Sequence, residues 1–188
     1  MVGTDSIEKV IKDKSGIQLD IGCGASKQPG FVGIDILKLP GVDIVHDIEE
    51  TPWPLLDESV IRAIASHVLE HINPHKGVFI NVMDEIWRVL KPRGQFAFVV
   101  PHGESPGYLQ DPTHCNPMNE TTMHYFDPDP ERKTMGPALY NFYHPKPWKI
   151  VSQYFNRAGN IEVLLEKRPM DKSYQGKFGP LSIIAEKL

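Results

Sequence analysis

The stretch Ile17-Gln-Leu-Asp-Ile-Gly-Cys-Gly-Ala-Ser-Lys-Gln-Pro-Gly-Phe-Val-Gly-Ile-Asp-Ile-Leu37 decides how the rest of the chain is read. A short apolar run ends in Asp20 and then Gly22-Cys23-Gly24. A second run ends in Asp35 and Ile36. β-branched residues bounded by glycine and proline predict strands over 17–21 and 31–36. Two glycines let a backbone approach a ligand closely. In an open parallel sheet, ligands bind outside the carboxyl ends of the strands, where both acids fall. A carboxylate after the second strand is placed to accept hydrogen bonds from ribose hydroxyls. A plain tight turn at Gly22 and Gly24 explains the glycines equally well, since a lone Gly-x-Gly is a weak signal.

Working outward, the pattern predicts a short polar helix over 5–14, a short strand over 42–45 and an amphipathic helix over 76–91 ended by Pro92 and Gly94. It also predicts a buried strand over 95–100. The segment 57–72 fits a helix and a strand about equally. Residues 102–147 lose periodicity and hold four of the eight histidines. A stretch of that length is expected to be a lid or binding insert. A helix is predicted over 147–159, then strands at Ile161–Arg168 and Leu181–Leu188 paired antiparallel through a connector at 169–180. Strand and helix alternate up to residue 100, which implies a doubly wound, mostly parallel α/β sheet with helices on both faces.

Length and composition restrict the class. The chain has 188 residues, 40% of them hydrophobic and 23% charged, with a net charge of −4. That is the size of one α/β domain, read here as residues 1–188 with the insert at 102–147. No global field favours nucleic acid or anionic membrane. The two cysteines, Cys23 and Cys115, form no framework, which suits a reducing compartment. Neither a secretory signal nor a membrane-length apolar run is seen, so a cytoplasmic location is expected.

The cofactor follows from charge. A nicotinamide dinucleotide prefers Gly-x-Gly-x-x-Gly, yet Lys27 stands at the third glycine, and Asp20 would repel phosphates. An acid before the glycines suits a cationic cofactor without phosphate, such as S-adenosylmethionine.

Here a family resemblance enters. The strings LDIGCG, Asp35, HDIEETPWPLLDESV, ASHVLEHI and EIWRVLKPRGQFAFVVP have the order and spacing of class I S-adenosylmethionine-dependent methyltransferases, and they look most like the small-molecule type. The resemblance covers residues 17–101. It implies a seven-stranded Rossmann-like methyltransferase sheet with an antiparallel C-terminal strand. It also resolves the ambiguous segment into a strand at Val60–Ser66 and a turn from His67. It implies that Asp20, Gly22, Cys23 and Gly24 form the turn facing the methionine moiety, and that Asp35 with Ile36 holds the ribose. Asp47 with Ile48 would receive the adenine, while Ser66 and His67 would line the cofactor from the fourth strand. One departure stands out: only Ala25 to Gly30 separate the Gly-x-Gly turn from the next apolar run, whereas a parallel crossover normally needs a dozen or more residues. This compression resembles a subgroup of bacterial and phage methyltransferase-like proteins.

Other motifs compete. His67-Val-Leu-Glu-His71 matches the H-x-x-E-H zinc-peptidase pattern, which needs both histidines on one face of a stable helix. The insert gathers His102, Glu104, Asp111, His114, Cys115 and His124, which fit a capped turn, a substrate contact or a divalent-metal set. No metal is expected. The string SHVL stands where base amino-methyltransferases carry Asn/Asp-Pro-Pro-aromatic, and there is no basic-aromatic cluster, so nucleic acid is not expected as partner. The expected reaction is methyl transfer to an oxygen or nitrogen of a small-molecule acceptor. His114, then His67, then His124, are the candidate bases, and Asp111 stands beside His114. A cofactor-binding module without catalysis is the alternative, and a nicotinamide oxidoreductase comes after it.

Overall fold

Leu19 and Ile21 are fully buried, as are Ile34 and Val60 nearby, so the strands that carry the two acids lie in the middle of the protein. The computed structural model describes residues 16–129, 140 and 142–170. The strands are β1 (Ile17–Ile21), β2 (Val32–Asp35), β3 (Ile44–Val45), β4 (Val60–Ser66), β5 (Leu90–Pro101), β6 (Trp148–Phe155) and β7 (Asn160–Lys167). They form one sheet in the order β3-β2-β1-β4-β5-β7-β6. β1 through β5 pair in parallel, and β7 runs antiparallel to both neighbours. This is the seven-stranded Rossmann-like methyltransferase sheet expected from the sequence.

The helix over 78–89, α1 (Val78–Val89), starts two residues later than its apolar pattern, because Lys76 and Gly77 have φ of 55° and 76°. Its buried face, Val82, Met83, Ile86 and Val89, joins the core that holds Phe96 and Phe98 of β5. β5 begins at Leu90, earlier than expected. Leu90 pairs with Val60 and Gln95 with Arg62, so Lys91–Gly94 bulge out between the two pairs.

Three expectations need correction. Residues 148–155 form a strand, not a helix. Buried Trp148 and Ile150 alternate with exposed Lys149 and Val151, a period of two that the sequence reading took for helical. Asn156-Arg-Ala-Gly159, within the helix expected over 147–159, is a hairpin turn. Asn156 Oδ1 accepts from Ala158 N and Asn160 N, and Gly159 has φ of 87°. β7 therefore meets β6 through 156–159 on one edge and β5 on the other, where the sequence led one to expect a partner at 181–188. The expected helix at 5–14 and strand at 181–188 lie outside the described residues.

Among the described residues α1 is the one helix longer than a single turn. The first crossover, 22–31, is a chain of turns. Asp20 Oδ2 accepts from Gln28 N at 2.8 Å and fastens it. Lys27 pairs with Asp43 and lies over Gly33, where an added Cβ would sit 2.7 Å from the lysine Cδ. The lysine thus packs the place that a third glycine would open.

The insert is not loose. Glu70 O accepts from Cys115 N and Asn116 N, both at 3.0 Å, and Asn116 Nδ2 donates to Leu69 O at 3.0 Å. Met118, Met123 and Phe126 enter the core. Buried Asp127 accepts from Ile150 N at 2.9 Å and pairs with Arg168. These bonds clamp residues 102–129 over the Leu69–His71 turn and onto β6. A one-turn helix, α2 (Pro106–Leu109), is capped by Ser105 Oγ.

Candidate functional site

The carboxyl ends of β1, β2 and β4 open into a cavity of about 340 Å³, within the range of small-molecule sites. Gly22, Asp35, Ile36, Asp47, Ile48 and His67 line it, together with Glu49, Val68, His71 and Ile72. Six of the residues expected at the cofactor are thus brought together.

Asp35 is 9% exposed, and each of its oxygens accepts one backbone N–H, Gly24 N on Oδ2 and Leu37 N on Oδ1, both at 2.8 Å. A carboxylate has about four acceptor positions, so two remain to receive donors from the cavity. Asp47 Oδ1 accepts from Glu49 N at 2.9 Å, and Glu49 Oε1 accepts from Asn73 N at 2.7 Å. The 47–49 turn is thereby tied to the far wall. Gly22 has φ of 62°, and a Cβ added to it would lie 2.4 Å from Val68 Cγ2. The floor of the groove is a glycine pressed against a valine.

Four expected residues stand behind the groove. Asp20 is spent on Gln28, and burial raises its carboxyl above the ordinary range. Cys23 is buried. That burial, with the charges of Asp20 and Asp35, pushes its thiol up to about 11. Gly24 contributes its N–H to Asp35. Ser66 lines a different, shallow cavity on the sheet face with Ile64, Val99 and Leu164.

The catalytic candidates meet through Glu70, which the sequence marked only as part of the H-x-x-E-H pattern. His114 Nε2 lies 3.9 Å from Asp111 Oδ2 and 3.9 Å from Glu70 Oε1, which is also 3.1 Å from His67 Nδ1. Glu70 is wholly buried, and its Oε1 is the oxygen near both His67 and His114. His71 completes the cluster, its ring centroid 4.7 Å from that of His114. Thr113, through its hydroxyl and its backbone N–H, holds the Asp111 carboxyl below the ordinary range. Glu70 and His71 stood in the sequence inside a string read as a family ending. What could have marked them was the recurrence of acid and imidazole in two segments 43 residues apart. The zinc-peptidase geometry is not formed. β4 ends at Ser66, His67 has φ of 55°, and Leu69–His71 is one turn of 3-10 helix. Of the remaining insert candidates, His102 faces Glu120 at 3.4 Å and lies apart from the cluster.

Residues 19–98 match the family model described as a methyltransferase domain. Among solved structures, the YcgJ protein of Bacillus subtilis superposes with TM-score 0.54 at 15% identity, covering 89% of this chain and 100% of that one. An S-adenosylmethionine-dependent methyltransferase of Archaeoglobus fulgidus gives TM-score 0.54 at 15% identity, over 85% of this chain and 90% of that one. The 1,6-didemethyltoxoflavin-N1-methyltransferase of Burkholderia thailandensis gives 0.54 at 14%, over 88% and 78%. No curated protein matches the sequence. No helix among the described residues is long and apolar enough to cross a membrane.

Proposed function

Since the chain carries a class I S-adenosylmethionine-dependent methyltransferase domain, with S-adenosylmethionine as its cosubstrate, we propose that it methylates an oxygen or nitrogen of a small molecule. The observation that carries this reading is Asp35, anchored by Gly24 N and Leu37 N at the mouth of a cavity whose far wall is the His67–Ile72 turn. The cavity has the volume of a small-molecule site and an acid placed for the ribose.

When bound, the cosubstrate supplies a methyl carbon already activated by a sulfonium. The protein's part is alignment and exclusion of water. Asp35 with Ile36 takes the ribose, Asp47 and Ile48 flank the adenine, and Gly22 faces the methionine moiety. Asp20, Cys23 and Gly24 hold that turn in shape from behind, and Ser66 ends the strand that presents His67. On the acceptor side, His114 with Asp111 beside it draws the acceptor's proton, and His67 is the next candidate. Residues 1–188 act as one domain whose insert, 102–147, covers the acceptor.

A small-molecule acceptor fits the net charge of −4 and the absence of a basic-aromatic cluster in the sequence. The fold alone is silent on this point: a [4+2]-cyclase and a 16S rRNA methyltransferase have similar folds. Neither nucleic acid nor membrane is a partner in this reading, and two free cysteines, Cys23 and Cys115, suit the cytoplasm. A second reading, a cofactor-binding module without catalysis, draws on the helix-free first crossover. Incubation with methyl-labelled S-adenosylmethionine and a pool of metabolites separates the two. Label transferred to an acceptor supports the enzyme. Binding with no transfer to any acceptor supports the module.

A further inference from the structure

We propose that Glu70, His71 and His114 form a binding site for a divalent first-row transition ion, zinc by preference, beside the cofactor groove. One ligand atom from each of these three residues lies within 4.8 Å of the other two. An ion placed among them would need only small side-chain movements to reach coordination distance.

Two independent features argue for a cation rather than a knot of hydrogen bonds. The first is an orphaned acceptor. Glu70 is wholly buried, and its Oε2 finds no hydrogen-bond donor among the described residues. A buried carboxylate oxygen left unmatched is costly, and a cation removes that cost.

The second is the way both imidazoles are held. His114 Nδ1 lies 2.8 Å from Tyr108 O, which can only accept, so Nδ1 carries the proton and Nε2 offers a lone pair. Thr113 Oγ1 lies 2.6 Å from Asp111 Oδ1 and 3.0 Å from His71 Nδ1. Its single proton goes to the carboxylate, so it accepts from His71 Nδ1–H, and His71 Nε2 also offers a lone pair. Each ring is thus anchored through Nδ1–H to an oxygen, the usual arrangement behind a metal-ligating histidine. Two imidazoles and one carboxylate suit zinc with an open fourth position, whereas magnesium prefers oxygen alone. Asp111 Oδ2, 3.9 Å from His114 Nε2, stands as a near neighbour to the ion or to its water.

The functional part rests on the methyltransferase reading and refines the role given there to His114. His71 lines the cofactor cavity, so an ion on this cluster borders it. An acceptor oxygen bound at the open position would lose its proton more readily. As its O–CH3 bond forms, the S–CH3 bond breaks with the electron pair left on sulfur, and the acceptor proton has already gone to solvent. His114 then acts through the ion instead of taking the proton itself.

The test uses the chelator-treated full chain, titrated calorimetrically with zinc and, separately, with cobalt(II) followed by its visible ligand-field absorption. The proposal expects one site per chain. It expects His114→Ala and His71→Ala each to weaken zinc by at least about tenfold, and Thr113→Val, which spares the ligands, by about 10- to 100-fold. His75→Ala, outside the cluster, should leave uptake unchanged. Circular dichroism confirms the fold of each variant, and Thr113→Val decides the matter if a ligand variant does not fold. No zinc or cobalt uptake by the folded wild type overturns the proposal, as does uptake equally tight in His114→Ala or Thr113→Val. S-adenosylhomocysteine affinity, measured on the same metal-free protein, keeps the two readings apart. Retained affinity without metal uptake sinks the metal site alone, and lost affinity with metal uptake sinks the groove assignment alone.

Discussion

The groove at the tips of β1 and β2 and the insert clamped over the Leu69–His71 turn solve the same problem by opposite means. In the groove, regular strands bring short-range neighbours together. Asp35 holds Gly24 and Leu37, and Asp47 holds Glu49. In the insert there is little regular structure, and order comes from bonds spanning more than 40 residues, such as Asn116 to Leu69 and Thr113 to His71. The first arrangement is rigid because the sheet is. The second is only as fixed as the turn it grips.

If that contrast is right, damage to the two regions should fall on different quantities. Gly22→Val should abolish S-adenosylhomocysteine binding, the largest effect expected. A φ of 62° is strained for any β-branched residue, and the new Cβ would collide with Val68. Calorimetry on a variant whose circular dichroism is unchanged checks this, and wild-type affinity would move the cosubstrate elsewhere.

On the insert side the damage should appear in rate. His114→Ala should lower turnover by about 10²–10⁴-fold once an acceptor is in hand. The same variant should keep S-adenosylhomocysteine affinity within about threefold, less than about 0.7 kcal/mol. Steady-state kinetics beside a binding titration read both, and equal losses in the two would erase the distinction between the regions.

Asp35→Ala should weaken binding by about 1.5–3 kcal/mol, the worth of hydrogen bonds to a charged acceptor. Because the same carboxylate holds Gly24 N and Leu37 N, the loss should come with faster amide exchange at those two positions. An unaltered titration would remove Asp35 from the site.

The smallest effect concerns the two thiols. Cys23, with its thiol raised to about 11, should resist alkylation at pH 8 in the folded protein, while exposed Cys115 reacts. The sign of the linkage follows from the raised value. The Cys23 contribution to stability is fully present below the unfolded thiol value of 9.0, and it is lost as pH rises through about 11. Mass spectrometry after timed alkylation measures the first, and denaturant midpoints across that window measure the second.

The same contrast explains what the sequence disclosed. β1, β2 and α1 were legible because each carries its own period and its own punctuation, Gly22, Pro29-Gly30 and Pro92 among them, whereas β4 was separated from a helix only by the family resemblance. Asp35 and Asp47 were legible because a strand tip is a local address. β6 was misread because Trp148, Ile150 and Val151 fit a helix as readily as a strand until β7 supplies a partner. Asn156–Gly159 likewise looks the same as a hairpin turn and as a helix end. The Glu70–His71–His114 cluster was illegible for a related reason. No local pattern announces that Glu70 will meet a histidine, and His71 a threonine, more than 40 positions downstream. Ser66 and Asp20 show the converse: they belong to the same motifs, yet Ser66 lines the cavity on the sheet face and Asp20 accepts from Gln28 N.

The central claim, that the cosubstrate lies at the tips of β1 and β2 with the insert beside it and not beneath it, is tested most directly by titrating S-adenosylhomocysteine into isotope-labelled protein and following the backbone amides. The account predicts shifts at Gly22, Gly24, Leu37, Ile48 and His67, with Thr122–Phe126 unmoved. Shifts confined to the insert, or to Ser152, Tyr154 and Leu164 on the open sheet face, would contradict it.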